Sequence, residues 1–167
     1  MNIVKGSIQS VDQQGSVLYR LSQKMSCSYG VSILFRTFRY EIETTRNIKF
    51  TMENFRDVFP DWENGEPYCK KKIEGSVEVS NYENSQQRIF SDFSHQCAQV
   101  SYEEVGVYLD VFWQEIAAHF TLPPTYVYLH NPAIGSVFNC GIFWQFCYIY
   151  LNNETKQGIV IAADATD

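Results

Sequence analysis

The run from Phe138 to Leu151 does most to limit what this chain can fold into. Its even positions, Cys140, Ile142, Trp144, Phe146, Tyr148 and Tyr150, are all apolar or aromatic. Successive side chains of a strand point to opposite faces, so these six define one buried face. The odd positions mix Asn139, Gly141 and Gln145 with Phe143, Cys147 and Ile149, which covers the second face in part. A strand apolar on both sides belongs inside a sheet, with material packed above and below it. Asn152 to Gly158 then supplies turn residues, and Gly158 to Ala163 returns as an antiparallel neighbour.

The other strong signal is helical. Val105, Leu109, Phe112, Ile116 and Phe120 recur every three or four residues between Ser101 and Pro123. Ser101 is placed to cap this helix, and Glu103 and Glu104 suit the positive end of its dipole. A shorter helix is expected after Thr51, with Met52, Phe55, Val58 and Phe59 on one face and Pro60 as its stop. Asn84 to Cys97 reads either as a helix or, in its last third, as a strand.

Strand signals fill much of the remainder. Ile3 to Val11 and Val17 to Tyr19 read as a hairpin around Asp12-Gln13-Gln14-Gly15. From Val31 to Thr44 the alternation changes phase: Val31, Ile33 and Phe35 fall on one phase, Phe38, Tyr40 and Ile42 on the other. That switch predicts a bulge or bend within one strand, or two shorter strands. Ile73, Val77 and Val79 predict a strand broken by Gly75, and Tyr126 to Leu129 a short one. Strands cluster in hairpins rather than alternating with helices, which predicts an α+β fold. The expected architecture is a curved antiparallel sheet packed against one long helix and one or two shorter helices, with residues 1–167 as a single domain.

Hydrophobic residues make up 45% of the 167 and aromatics 16%, enough for a core and too much for a disordered chain. The opening Met1-Asn2-Ile3-Val4-Lys5 lacks the charged and apolar regions of a signal peptide. The apolar run near the end is interrupted by Asn139, Gly141 and Gln145, so no segment is expected to span a bilayer. Five cysteines, Cys27, Cys69, Cys97, Cys140 and Cys147, form no CxxC pair and are odd in number, which fits reduced, buried thiols. A cytoplasmic location is expected on these grounds.

Charge is unevenly spread. Residues 1–50 hold seven basic and three acidic side chains, residues 51–110 five and twelve, and residues 111–167 one and four. A net charge of −6 argues against direct binding to a phosphate backbone, while an acidic middle segment suits a basic protein partner.

Constellations that could carry chemistry are sparse. Glu115 and His119 lie four apart on the predicted helix and could share a metal with His130 or His95, but there is no HExxH and no Cys/His ladder at ligand spacing. No metal or cofactor is expected. Cys140 could be a nucleophile with His119 or His130 and with Asp110 or Asp164. Its surroundings hold no Lys or Arg from Thr121 to Thr155, which favours the neutral thiol. Carboxylate pairs such as Glu103 with Glu104, or Asp57 with Asp61, are what nineteen acids produce by chance. Phosphate cradles of the GxxxxGK[ST] or GxGxxG kind are absent. Lys70-Lys71-Lys72 reads as local ion pairing on a strand edge.

The stretch from Asp57 to Tyr68, Asp-Val-Phe-Pro-Asp-Trp-Glu-Asn-Gly-Glu-Pro-Tyr, combines acids with aromatics. Trp and Tyr anchor protein interfaces, and carboxylates around them suit a partner rich in lysine or arginine. In these features, a small acidic α+β chain with no catalytic motif and an acidic aromatic loop, the sequence resembles the immunity proteins of bacterial contact-dependent growth inhibition and related polymorphic toxin systems. The resemblance implies a non-enzymatic protein that binds a cognate toxin, such as a basic nuclease domain, and so protects the cell that makes both. The residues expected at the interface are Asp57, Asp61, Trp62, Glu63 and Glu66, with Glu78 and Glu83 in support. The alternatives are a small enzyme or ligand-binding domain whose aromatic-lined pocket includes His119, Cys140 and Tyr148, and an oligomeric structural or phage protein.

Overall fold

The computed structural model describes residues 1–11, 30–42, 48–59, 73–96, 101–133 and 144–166. Their elements are β1 (Asn2–Ile3), β2 (Gln9–Ser10), β3 (Gly30–Glu41), α1 (Met52–Asp57), β4 (Gly75–Ser80), α2 (Tyr82–Gln96), α3 (Tyr102–His119), β5 (Tyr126–Pro132), β6 (Trp144–Asn152) and β7 (Gln157–Thr166). The strands join in one antiparallel sheet in the order β1-β3-β7-β6-β5-β4, with β2 also on β3. Helices and sheet together make the α+β fold expected from the sequence.

Strand β6 sits inside the sheet, and its alternation sorts two cores. Phe146, Tyr148 and Tyr150 face the layer made by α2 and α3, where they meet Ile89, Phe93, Val105, Leu109, Phe112 and Ile116. Cys147, Ile149 and Leu151 face the other way, toward Phe50, Phe55, Val58, Phe59 and Ile73 around α1. The second face is thus as completely buried as the first. Each buried Ile, Leu or Phe removes apolar area worth about 1.5–3 kcal/mol. The helix side is further knit by edge-on rings, Phe35 on Phe112 at 5.5 Å and Phe93 on Phe146 at 5.9 Å.

The two cores also explain the phase change in β3. Its register with β7 runs unbroken from Gly30↔Thr166 to Arg39↔Gln157, so there is neither bulge nor division. Phe35 belongs to the helix-side core, and Phe38 and Tyr40 to the other. A strand buried on both faces has no phase to keep.

The opening segment differs from a simple hairpin. Asn2–Ile3 and Gln9–Ser10 pair separately with the outer edge of β3, and the chain between them leaves the sheet through Gly6, at φ 85°. Ser7 fills the gap: its Oγ donates to Val4 O at 2.7 Å and accepts from Arg39 N–H at 2.9 Å. The expected second arm, Val17 to Tyr19, lies outside the described residues.

Local rules hold at the helix starts. Thr51 and Asn54 form a reciprocal capping box on α1, with Asn54 N–H donating to Thr51 Oγ1 at 3.3 Å and Thr51 N–H to Asn54 Oδ1 at 3.1 Å. Ser101 Oγ accepts from Glu104 N–H at 3.2 Å at the start of α3. The ambiguous stretch after Asn84 is helical to Gln96. Gly75 opens β4 rather than breaking it. Its φ is 142°, and a Cβ there would stand 2.1 Å from Asn131 O.

Candidate functional site

The residues with catalytic or metal-binding side chains do not converge among the described residues. Glu115 Oε1 and His119 Nε2 are 3.8 Å apart on the outer part of α3, where both are partly exposed. His130 is on β5, only 1% exposed, and stacks on Phe55 at 4.2 Å in the core on the opposite side of the sheet. Burial pushes its pKa down to about 4, against a smaller opposing effect of the Glu74 backbone, so it is neutral at pH 7. No group of three or more His, Cys, Asp or Glu among the described residues could hold a metal ion. Cys147 is fully buried, and burial raises its thiol pKa far above the ordinary value. Tyr148 is a core residue of the helix side, its hydroxyl pKa raised by burial. Cys140 and the side chain of His95 lie outside the described residues, as does Asp164 beyond its backbone.

The acidic residues singled out in the sequence divide between two sides of the sheet. Glu78 is exposed on β4, and Glu83 is exposed in the first turn of α2, with Val79 to Tyr82 between them in the chain. Both flank the β4–α2 connection. Asp57 is exposed at the end of α1, which packs on the opposite face and is tied to the residues entering β4 by Arg56 Nε–H donating to Ile73 O at 3.0 Å. Asp61, Trp62, Glu63 and Glu66 lie outside the described residues.

A surface the sequence reading passed over is the outer face of α2 and α3. Together these helices carry six carboxylates, Glu83, Asp92, Glu103, Glu104, Asp110 and Glu115, against one guanidinium, Arg88. Arg88 Nε donates to Asp92 at 2.7 Å, and that hydrogen bond raises the guanidinium pKa still further. The other acids leave the layer negative. On this layer Phe90 of α2 stacks on Tyr102 of α3, centroids 6.3 Å apart and planes 25° from parallel. Phe90 is 37% exposed and Tyr102 72%, and Val107 lies open on the outer stripe of α3 beside Asp110.

The signal for this surface was present in the residues. On a helix Phe90 lies about 100° from Ile89, so one of the two must leave the core. Glu103 and Glu104 had a sufficient local explanation as first-turn acids, which hid their membership of a wider acidic face.

The sequence matches no family model and no curated protein. The fold does have solved counterparts. It is similar to the crystal structure of citrus MAF1 in space group P 31 2 1, with a TM-score of 0.53 at 12% identity over 90% of this chain and 98% of that one. A second crystal form of citrus MAF1, in C 2 2 21, gives the same TM-score and identity over 89% and 97%. At this identity the likeness shows the shared α+β fold alone. No helix among the described residues is long and apolar enough to cross a membrane.

Proposed function

We propose that this protein acts by binding a basic protein partner, in the manner of an immunity protein that neutralises a toxin such as a nuclease domain in the cytoplasm. The observation that carries the reading is the α2–α3 layer, which carries the exposed carboxylates Glu83, Glu103, Glu104 and Asp110 together with the exposed, stacked Phe90–Tyr102 pair. An aromatic anchor on an acidic helical layer suits a lysine- or arginine-rich surface. The charges speed encounter and set orientation, and the buried rings hold the complex. A nuclease domain is basic because it binds nucleic acid, so an acidic face can occupy the groups its substrate needs. The interface in this reading is the helical layer with Glu78 and Glu83 at the β4–α2 connection.

The test is affinity capture of the tagged protein from its own cells at low and at high salt, with mass spectrometry of what stays bound. A stoichiometric basic protein released by salt is the expected result. The variant Glu103→Lys with Glu104→Lys should lose it, and Tyr102→Ala should weaken retention about tenfold or more. Recovery of the protein alone at low salt, or retention of the same partner by these variants, would sink the proposal.

A further inference from the structure

Strand β4 ends the sheet on the side away from β1 and β2, with no described strand on its outer edge. The register with β5 runs without a bulge from Gly75↔Pro132 to Ser80↔Val127. Ala133 N–H donates to Glu74 O at 3.0 Å, which fixes the phase of the ladder. Residues 74, 76, 78 and 80 therefore exchange bonds with β5, and Gly75, Val77 and Val79 turn their N–H and C=O groups outward. No strand or helix among the described residues pairs with that row. The opposite edge of the sheet is treated differently, since β1 and β2 cover β3 and Ser7 fills the gap between them.

Exposed edges are ordinarily blunted by Pro, Lys or a bulge. Gly-Ser-Val-Glu-Val-Ser has none of these over β4, and Val79 is 85% exposed. What the edge has is negative charge. Glu74 and Glu78 share one face of the strand, Glu83 follows in α2, and no Lys or Arg occurs from Ile73 to Gln87. Among the described residues, the Ser76 hydroxyl donates to Glu78 Oε1 at 3.4 Å.

We infer that β4 receives an extended segment of a basic partner by strand addition. The segment alternates basic residues, facing Glu74 and Glu78, with β-branched residues beside Val77 and Val79. Main-chain bonds to Gly75, Val77 and Val79 supply affinity, and the alternating side chains supply selection. A second copy fits poorly, because antiparallel pairing of two β4 edges crowds the Glu74 and Glu78 carboxylates of both onto one face. The inference rests on the basic-partner reading and gives that partner a second, backbone-mediated contact.

The probe is a short peptide of alternating lysine and valine, titrated against the full chain by fluorescence anisotropy and followed by amide hydrogen exchange. Binding should protect the Gly75, Val77 and Val79 amides, and a peptide of alternating glutamate and valine should not bind. Val77→Pro removes an outward N–H and no bond to β5, so it should cost about tenfold or more in affinity with the fold retained. Val79→Lys, which leaves the backbone unaltered, should weaken the lysine peptide similarly. Equal binding to Val77→Pro and Val79→Lys, or no protection of the three amides, overturns the inference. So does a dimer of the protein alone that Val77→Pro abolishes, which would make the occupant a second copy. Partner capture that survives Val77→Pro but not the helix-layer substitutions removes the edge and leaves the basic-partner reading intact.

Discussion

Gly158 sits opposite Phe38 in the β3–β7 ladder, and the Phe38 ring lies over the space a side chain would occupy. A Cβ at 158 would stand 2.1 Å from Phe38 Cζ and 2.4 Å from Cε2. Phe38 is itself buried and held against Phe50 at 6.0 Å, so the ring has little room to move aside. Gly158→Ala should destabilise the protein by about 1–3 kcal/mol in urea unfolding. Adding Phe38→Leu should recover part of that loss, and strict additivity would show that the ring is not the obstacle. His130 makes a second residue-level prediction. Its folded pKa of about 4 lies below its ordinary 6.5, so the unfolded chain binds the extra proton first as pH falls. The stability it contributes is complete above pH 6.5, declines between 6.5 and about 4, and amounts to about 3 kcal/mol at most. The difference in unfolding free energy between the wild type and His130→Gln, measured across that window, should shrink as pH falls. A difference that stays constant with pH would mean that His130 is not buried in its neutral form.

At the scale of elements, legibility followed the density of local signal. The β6–β7 hairpin and α3 could be read because their apolar residues repeat over several turns or pairs and their ends carry Asn, Gly, Ser and Pro in the positions chain geometry favours. Ser101→Ala should therefore cost about 1 kcal/mol, checked by thermal unfolding, since it leaves the Glu104 N–H without its cap. Strand β3 was located but its phase change was misread, because alternation in one strand does not say that two cores exist. The separation of β1 from β2 was not readable at all. It depends on Ser7 meeting Arg39 N–H, a contact made across the sheet rather than along the chain. The proposed surface draws on acidity and aromatic anchors, which the sequence shows together in the Asp57–Tyr68 stretch, whose residues from 60 on lie outside the described ones; on α2 and α3 the same residue types are dispersed by helical spacing and do not stand out in the sequence. Asp57, Glu78 and Glu83 are exposed as an interface requires, yet α1 holds Asp57 on the other side of the sheet from Glu83.

For the molecule as a whole, the two edges of the sheet govern its solution behaviour. β7 lies between β3 and β6, pairing residues 30–39 with residues 157–166, and the amino-terminal strands are added at the rim of the sheet. Removing residues 1–11 takes away β1, β2, the Ser7 contact and the bond from Asn54 Nδ2 to Met1 O at 3.0 Å, but it leaves both cores largely intact. The truncated protein should keep its cooperative unfolding with reduced stability. It should also expose the outer backbone groups of β3 next to Thr37 and Arg39. Of the charged residues on β3, Arg39 and Glu41 are exposed, while Arg36 is buried with its Nη1 donating to Val58 O at 3.3 Å; β4 carries the exposed Glu78. Two different unpaired edges among the described strands of one molecule favour head-to-tail addition, which does not close on itself. Sedimentation velocity should therefore show the truncated chain growing into a concentration-dependent series of oligomers. Val77→Pro in the truncated chain should halt that growth by blocking the β4 end. A truncated protein that stays monomeric at all concentrations would show that β1 and β2 do not serve to cover the β3 edge.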